Sequence, residues 1–302
     1  MTAVESAATR LTPPRLPDEQ LAPLTAAYKR AHIAKQRSTL VLIATFIVAS
    51  LAAAGVAEVS PAKFLANIGR FTNYIVRLFH LEGGAPVWSD PGEWFWGWKK
   101  WLALLGDTLL IAYLGTLLGA VAAFFFCFLA SANLNSNAWM RGLVRRLLEF
   151  CRTVPELVFA LIFVVAFGLG PLPGVLALAI HTTGALGKLF AEVVENVDMK
   201  PAEGVTATGA TWWQTVHLAI VPQVLSNFAS YGLLRFEINV RGASVMGFVG
   251  AGGIGQELIE SIRKFYYSDV SALLLLIIAT VMIIDVATER LRHHFIGHGV
   301  RP

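Results

Sequence analysis

Charge is scarce in this sequence: only 15% of its 302 residues are Asp, Glu, Lys or Arg. That is too little to cover a water-facing surface. With 56% apolar residues and a mean hydropathy of +0.61, it excludes a disordered chain and argues against a soluble two-domain enzyme. Cysteine is nearly missing as well. Cys127 and Cys151 fall in or beside apolar stretches and offer neither a disulfide framework nor a metal-ligand spacing. No G-x-x-x-x-G-K-[ST] segment occurs; GALGKL at Gly184 is shorter and lacks the hydroxyl, so the sequence has no P-loop for ATP. An integral-membrane enzyme built on His181 and the buried charges would need a water-accessible acid/base pair, and none stands out. The surplus of four positive charges is too mild to indicate nucleic acid.

Long apolar stretches are what the sequence does have. A hydrocarbon core about 30 Å thick needs about 20 of them in a row as helix. Ser38–Ala57 carries no charge, and Leu102–Ala132 carries only Asp107. From Leu157 to Gly187 there are 31 uncharged residues, interrupted by GLGPLPG at Gly168–Gly174. Gly and Pro at that density end one helix and start another, which predicts spans near 148–169 and 174–194. Val221–Val249 and Val270–Ala287 supply two more. The expected class is an all-α membrane protein with six transmembrane helices. Residues 38–290 form the membrane domain, between a polar N-terminal segment (1–37) and a tail (291–302). The first stretch is longer than a signal-peptide core, so it is read as uncleaved.

Lys and Arg set the orientation. With the N-terminus inside, the inner segments 1–37, 131–147, 195–222 and 288–302 hold 13 of the 24 basic residues, and the outer segments hold 7. Both termini are therefore expected on the cytoplasmic side, with His293, His294 and His298 in an exposed tail that binds no metal. WFWGWKKW (Trp94–Trp101) has the composition of an interfacial belt; the alternative is a ligand-stacking platform.

Ionisable residues inside spans are costly and mark function or mutual neutralisation. Here they come as i,i+4 sets: Arg152/Glu156, Lys188/Glu192 and Glu237/Arg241, with Arg235 nearby. In RFEINVRGAS one carboxylate serves two guanidiniums, so surplus Arg could meet a passing oxyanion. Arg235, Arg241, Arg152 and His181 are the candidate anion pathway. The competing reading of His181 is an interhelical hydrogen-bond partner beside Thr182 or Thr183. GAGGIG satisfies G-x-G-x-x-G but follows a membrane span without βαβ periodicity. Gly250, Gly252, Gly253 and Gly255 are therefore expected to form an outer-side turn, flexible or tightly packed.

The segment VENVDMKPAEGVTATGATWWQTVHLAIVPQ lies on the inner side. Pro201 suits a first helical turn, Glu203 complements its positive end, Gly209 permits a bend, and Pro222 marks re-entry into the membrane. Val205, Trp212, Trp213 and Val216 are available to fill a groove on a partner; the alternative is a helix lying on lipid.

This loop resembles the EAA motif of ABC-importer permeases, E-A-A-x3-G-x9-I-x-L-P. Glu203, Gly204 and Val205 stand at E-A-A, Gly209 at the Gly, Val221 at the Leu and Pro222 at the Pro; Ala219 stands at the Ile position. Segments 152–164, 181–195 and especially RFEINVRGASVMGFVGAGGIGQEL (Arg235–Leu258) look like the phosphonate ABC-transporter permeases over residues 38–290. The resemblance implies a MetI-like ABC importer permease fold whose cytoplasmic coupling loop, 196–222, docks on an ATPase subunit. It implies a homodimer in the cytoplasmic (inner) membrane, an ABC ATPase dimer carrying ATP and Mg, and an external or periplasmic phosphonate-binding protein. Phosphonate, phosphite or phosphate would pass between the two copies. The chain itself would bind no cofactor and perform no bond chemistry. The alternatives are a related importer for another small solute and an ion-driven carrier, for which the sequence shows no repeated halves.

Overall fold

The computed structural model describes residues 17–57 and 60–299. Residues 1–16, 58–59 and 300–302, and with them part of the expected leader and tail, lie outside the described residues. The chain divides into two units, 1–72 and 73–302. In the first, helix α1 (Asp18–Val56) carries the uncharged stretch 38–57 on the same continuous helix as the described part of the polar leader. Helix α2 (Pro61–Leu78) begins in this unit and ends in the next.

The second unit is a helical bundle of α3 (Trp98–Ala130), α4 (Ala138–Thr153), α5 (Glu156–Phe167), α6 (Pro171–Glu195), α7 (Lys200–Ala207), α8 (Val221–Met246), α9 (Ile254–Lys264) and α10 (Tyr267–Gly299). Small residues let the two central helices approach closely. A Cβ on Gly115 of α3 would come within 2.6 Å of Leu178, and one on Gly119 within 2.6 Å of Thr182. On the other side of α6, a Cβ on Gly184 would lie 2.5 Å from the backbone nitrogen of Arg152, so α4 is seated backbone to backbone. Three apolar cores follow along the bundle. One holds Phe128, Leu148, Phe190, Ile220 and Phe228; one holds Ile111, Leu178, Val240 and Met246; one holds Leu78, Trp101, Ile254 and Leu273.

The expected span at 148–169 is corrected. The chain turns by 85° between α4 and α5. Pro155 has no N–H and holds the preceding Val154 in extended backbone (φ −71°, ψ 123°), so the helix stops and restarts. Among the described residues, four helices are long and apolar enough to cross a membrane, α1, α3, α6 and α10, and the bent pair α4–α5 would make a fifth. The expected sixth, α8, is 26 residues long, but Arg235, Glu237 and Arg241 lower its apolar content.

The tryptophan belt is only partly a belt. Trp101 is buried, and the indole N–H groups of Trp94 and Trp96 donate to Ser271 Oγ and Asp269 Oδ1 of α10, each at 3.0 Å. Trp96 and Trp98 remain exposed.

Candidate functional site: a braced inner loop and a buried polar cluster

The loop 196–222 is built from short pieces, each locally specified. Pro201 opens α7 with Glu203 in its first turn. After Thr208 the backbone turns through Gly209 at φ +86°, the left-handed region that a side chain with a Cβ enters only with strain. Thr211 and Gln214 form a reciprocal cap on the turn 212–215, with Thr211 N–H donating to Gln214 Oε1 at 2.7 Å. A wide π-type turn over Val216–Ile220 leads into α8, where Pro222 occupies the first turn.

Exposure divides this loop into two faces. Ala202, Thr215, Val216, Ala219 and Ile220 are buried against the bundle, while Glu203, Gly204, Gly209 and Trp213 are exposed. A Cβ on Gly204 or Gly209 would meet nothing within 4 Å, so both positions open outward. Beside them lies a cleft of about 550 Å³, lined by Asn133, Ala202, Glu203, Thr206, Trp212 and Thr215. The expectation for the loop's large apolar side chains is corrected here. Val205 and Trp212 pack on the core and Val216 is buried in it, and the Trp212 indole N–H donates to the carbonyl of Leu134 at 3.0 Å. These side chains brace the loop; of the four, Trp213 is the one that stays exposed.

The candidate anion residues separate into two places. Arg235 and Arg241 are six residues apart on α8, so at 100° per residue they point to different faces. Arg241 pairs with Glu237 at 2.5 Å, its own side chain half-exposed and the carboxylate buried. Arg235 instead reaches α6, donating to His181 Nδ1, with Thr182 Oγ1 3.5 Å from its Nε. His181 Nε2–H donates to the carbonyl of Arg152 at 3.2 Å, so the two partners fix the neutral Nε2–H tautomer. The Glu156 carboxylate stands 3.8 Å from Nε2 and acts electrostatically on Arg235.

Two expectations change as a result. Arg152 and Glu156 do not share a helix face, because Pro155 breaks the helix between them; Glu156 turns toward His181 and Arg235. Arg235 therefore has a counter-charge from another helix and is not competing for Glu237. His181 is an interhelical partner as expected, but its partners are Arg235 and the Arg152 carbonyl, not the threonines beside it. Lys188 and Glu192 do pair, loosely, at 3.9 Å.

The sequence reading missed Asn239 and Thr116, and the link that Thr182 makes with them. Asn239 Nδ2 donates to Thr116 Oγ1 at 2.8 Å and to Thr182 Oγ1 at 2.9 Å, joining α3, α6 and α8. The available signal was an amide one helical turn after Arg235 in an otherwise apolar face.

The glycine-rich turn is tightly packed. Gly250, Gly252 and Gly253 have φ near +80°. Gly170 N–H donates to the Gly250 carbonyl at 3.0 Å, and a Cβ on Gly253 would come within 2.5 Å of Thr108 Oγ1. At Gly255 a Cβ would overlap the carbonyl of Ser244. These contacts lock the turn onto the α5–α6 connection and onto α3.

Comparison with known proteins agrees with this architecture. Residues 115–296 match the family described as binding-protein-dependent transport system inner membrane component. A phosphite transport system permease of Stutzerimonas stutzeri is 44% identical over 201 residues, 67% of this chain and 73% of that protein. A phosphate-import permease of Mycolicibacterium smegmatis is 41% identical over 188 residues, 61% of this chain and 35% of that protein. Among solved structures, an inward-facing methionine ABC transporter superposes with a TM-score of 0.57 at 18% identity, over 65% of this chain and 95% of that one. A bacterial ABC transporter for the acidic polysaccharide alginate gives 0.56 at 12% identity, over 79% and 94%. Such low identities speak for the fold alone. The chain belongs to the binding-protein-dependent transport system inner membrane components: it is a multi-pass ABC importer permease, a transport subunit and not an enzyme, that works with a separate ATPase and a substrate-binding protein.

Proposed function

We propose that this permease imports a phosphorus oxyanion, phosphonate, phosphite or phosphate, as a homodimer driven by an ABC ATPase dimer that carries the ATP and Mg. The observation that carries the reading is the 44% identity to a phosphite permease across 73% of that protein. A periplasmic or external binding protein delivers the anion at the outer face, and lipid surrounds the spans. Both termini lie in the cytoplasm, and this chain binds no cofactor of its own.

The inner loop, 196–222, is the coupling element in this reading. Glu203, Gly204, Val205 and Gly209 form or support the face offered to the ATPase, and Val221 and Pro222 begin the helix that receives the motion. Bracing by Trp212 and Ala202 supports that role, because Trp212 is held to the Leu134 carbonyl and Ala202 is buried in a core that α6 and α8 share. Arg235 retains guanidinium donors beyond those directed at His181 and Thr182, which suits it to an oxyanion crossing between copies. The side chains of Arg241 and Arg152 are exposed, and Arg241 stands on a different face of α8 from Arg235.

The test is ATP-dependent uptake into proteoliposomes holding this chain with its ATPase and binding protein. Methylphosphonate, 2-aminoethylphosphonate, phosphite and phosphate are supplied in turn, and at least one should accumulate. If all four stay outside while another small solute enters, the substrate reading is wrong. Gly209→Val should release the ATPase from the purified complex, because a β-branched residue resists positive φ. Gly209→Asn, which tolerates it, should retain the ATPase. Equal ATPase recovery with both variants would remove Gly209 from the coupling face.

A further inference from the structure

The structure contains a helix that neither the permease reading nor the coupling loop accounts for. Helix α2, PAKFLANIGRFTNYIVRL, is sharply two-sided. Phe64, Ile68, Phe71 and Ile75 recur at helical spacing on one side. Lys63, Arg70 and Arg77 recur every seven residues, a spacing that drifts only about 20° per repeat, so they form a stripe about 10 Å apart on the opposite side. No Asp or Glu occurs between Glu58 and Glu82.

Among the described residues, the apolar face of its first two-thirds is left exposed. Phe64 is 69% exposed, Leu65 66%, Ile68 48% and Phe71 65%. Among the described residues neither Lys63 nor Arg70 has an ion-pair partner. A helix of 18 residues with three cations is a poor membrane span, and that much contiguous apolar surface does not sit in water.

The end of α2 is packed within the second unit, and its start follows α1 closely in sequence. Four residues separate its start from the end of α1, a reach of about 18 Å at most over five peptide steps. At its other end Leu78 is buried with Trp101 and Leu105 of early α3 and Leu273 of early α10. Tyr74 meets the ring of Tyr267, the first residue of α10, at 5.7 Å, and the Arg77 guanidinium lies over the same ring at 5.5 Å.

From this we infer that α2 is an in-plane element that seats its Phe64/Leu65/Ile68/Phe71 face in the acyl boundary and gathers anionic phospholipid headgroups with Lys63 and Arg70. Charge complementarity selects an anionic lipid, and the exposed aromatic and aliphatic face selects a bilayer over a soluble protein. The inference does not depend on what the permease carries. It also gives a role to two of the seven basic residues that the orientation leaves on the outer side.

The test uses the full chain, with Cys127 and Cys151 replaced by Ala, in nanodiscs of phosphatidylcholine with and without phosphatidylglycerol. A spin label at Ile68→Cys should be relaxed by oxygen and shielded from a water-soluble nickel chelate, and a label at Asn67→Cys should behave oppositely. A headgroup-labelled phosphatidylglycerol tracer should be enriched over its phosphatidylcholine counterpart near residue 67. Lys63→Gln and Arg70→Gln should each lower that enrichment about fivefold at most. The inference is overturned if the residue 68 label is open to the nickel chelate in both nanodiscs, or if the double substitution leaves the enrichment unchanged. Shielding of residue 68 only after a soluble substrate-binding protein is added would also overturn it and assign the face to that protein.

Discussion

His181 is the residue at which a helix break, a tautomer and a buried charge meet. Its Nε2–H is directed at the Arg152 carbonyl and its Nδ1 lone pair at Arg235, so neither ring nitrogen is spare. Replacing it with Leu leaves Arg235 inside the bundle without its acceptor, and burying an unsatisfied donor costs about 1–3 kcal/mol. Replacing Arg235 with Met leaves the Nδ1 lone pair unpaired instead. The double variant removes both orphaned groups and should cost less than the sum, with a coupling of about 0.5–2 kcal/mol. Unfolding of the purified permease by denaturing detergent reads this cycle; strict additivity would mean that the contact does not hold α6 to α8. The sequence exposed Arg235 and Arg241 as costly charges but not their division of labour. Six residues along a helix is a rotation of 600°, which sends one toward His181 and the other toward Glu237.

At the scale of elements, Pro155 explains the largest local misreading. An i,i+4 rule joins Arg152 to Glu156 only if the helix between them is intact, and a proline in that interval removes the premise. The bend is then held from outside, by Gly184 of α6 against the α4 backbone. A Cβ there would lie 2.6 Å from the Leu148 carbonyl and 2.5 Å from the Arg152 nitrogen. Gly184→Ala should therefore push α4 off α6 and cost about 1–3 kcal/mol by overpacking. Gly142→Ala on α4 itself, where a Cβ meets nothing, should be neutral or stabilising by about 0.5–1 kcal/mol. Thermal unfolding in one detergent separates the two, and equal midpoints would show that the helices can part without cost. Helix α2 escaped the sequence reading for a related reason: its period was there, but an outer connecting segment was read for charge and not for helical faces. The local breaks of the loop 196–222 were legible because Pro201, Gly209 and Pro222 punctuate it. Its bracing by Trp212 was not, since it depends on where Leu134 returns in space.

At the scale of the whole molecule, the number of crossings turns on α8. Among the described residues, length and composition alone mark four helices, or five with the bent pair, while six spans require α8 to cross in spite of three ionisable residues. The cost of those charges is reduced because they are not bare: Glu237 is matched by Arg241, and Arg235 by His181 and Glu156. A crossing α8 carries Pro222 at its inner end and the packed glycine turn at Gly250–Gly253 at its outer end, which places α7 and α9 on opposite sides of the membrane. Single cysteines at Lys200 and Lys264, again with Cys127 and Cys151 replaced by Ala, distinguish the arrangements in sealed right-side-out vesicles. With six spans, an impermeant maleimide should label residue 264 at once and residue 200 only after the membrane is opened. Cysteines at Asn135 and Gly168 should follow the same rule, inside and outside respectively, if the α4–α5 pair is a single bent crossing. Labelling of residues 200 and 264 from the same side would return α8 to the surface. Arg235 would then lie outside any transmembrane path, and the anion route would have to be sought along α3 and α6 instead.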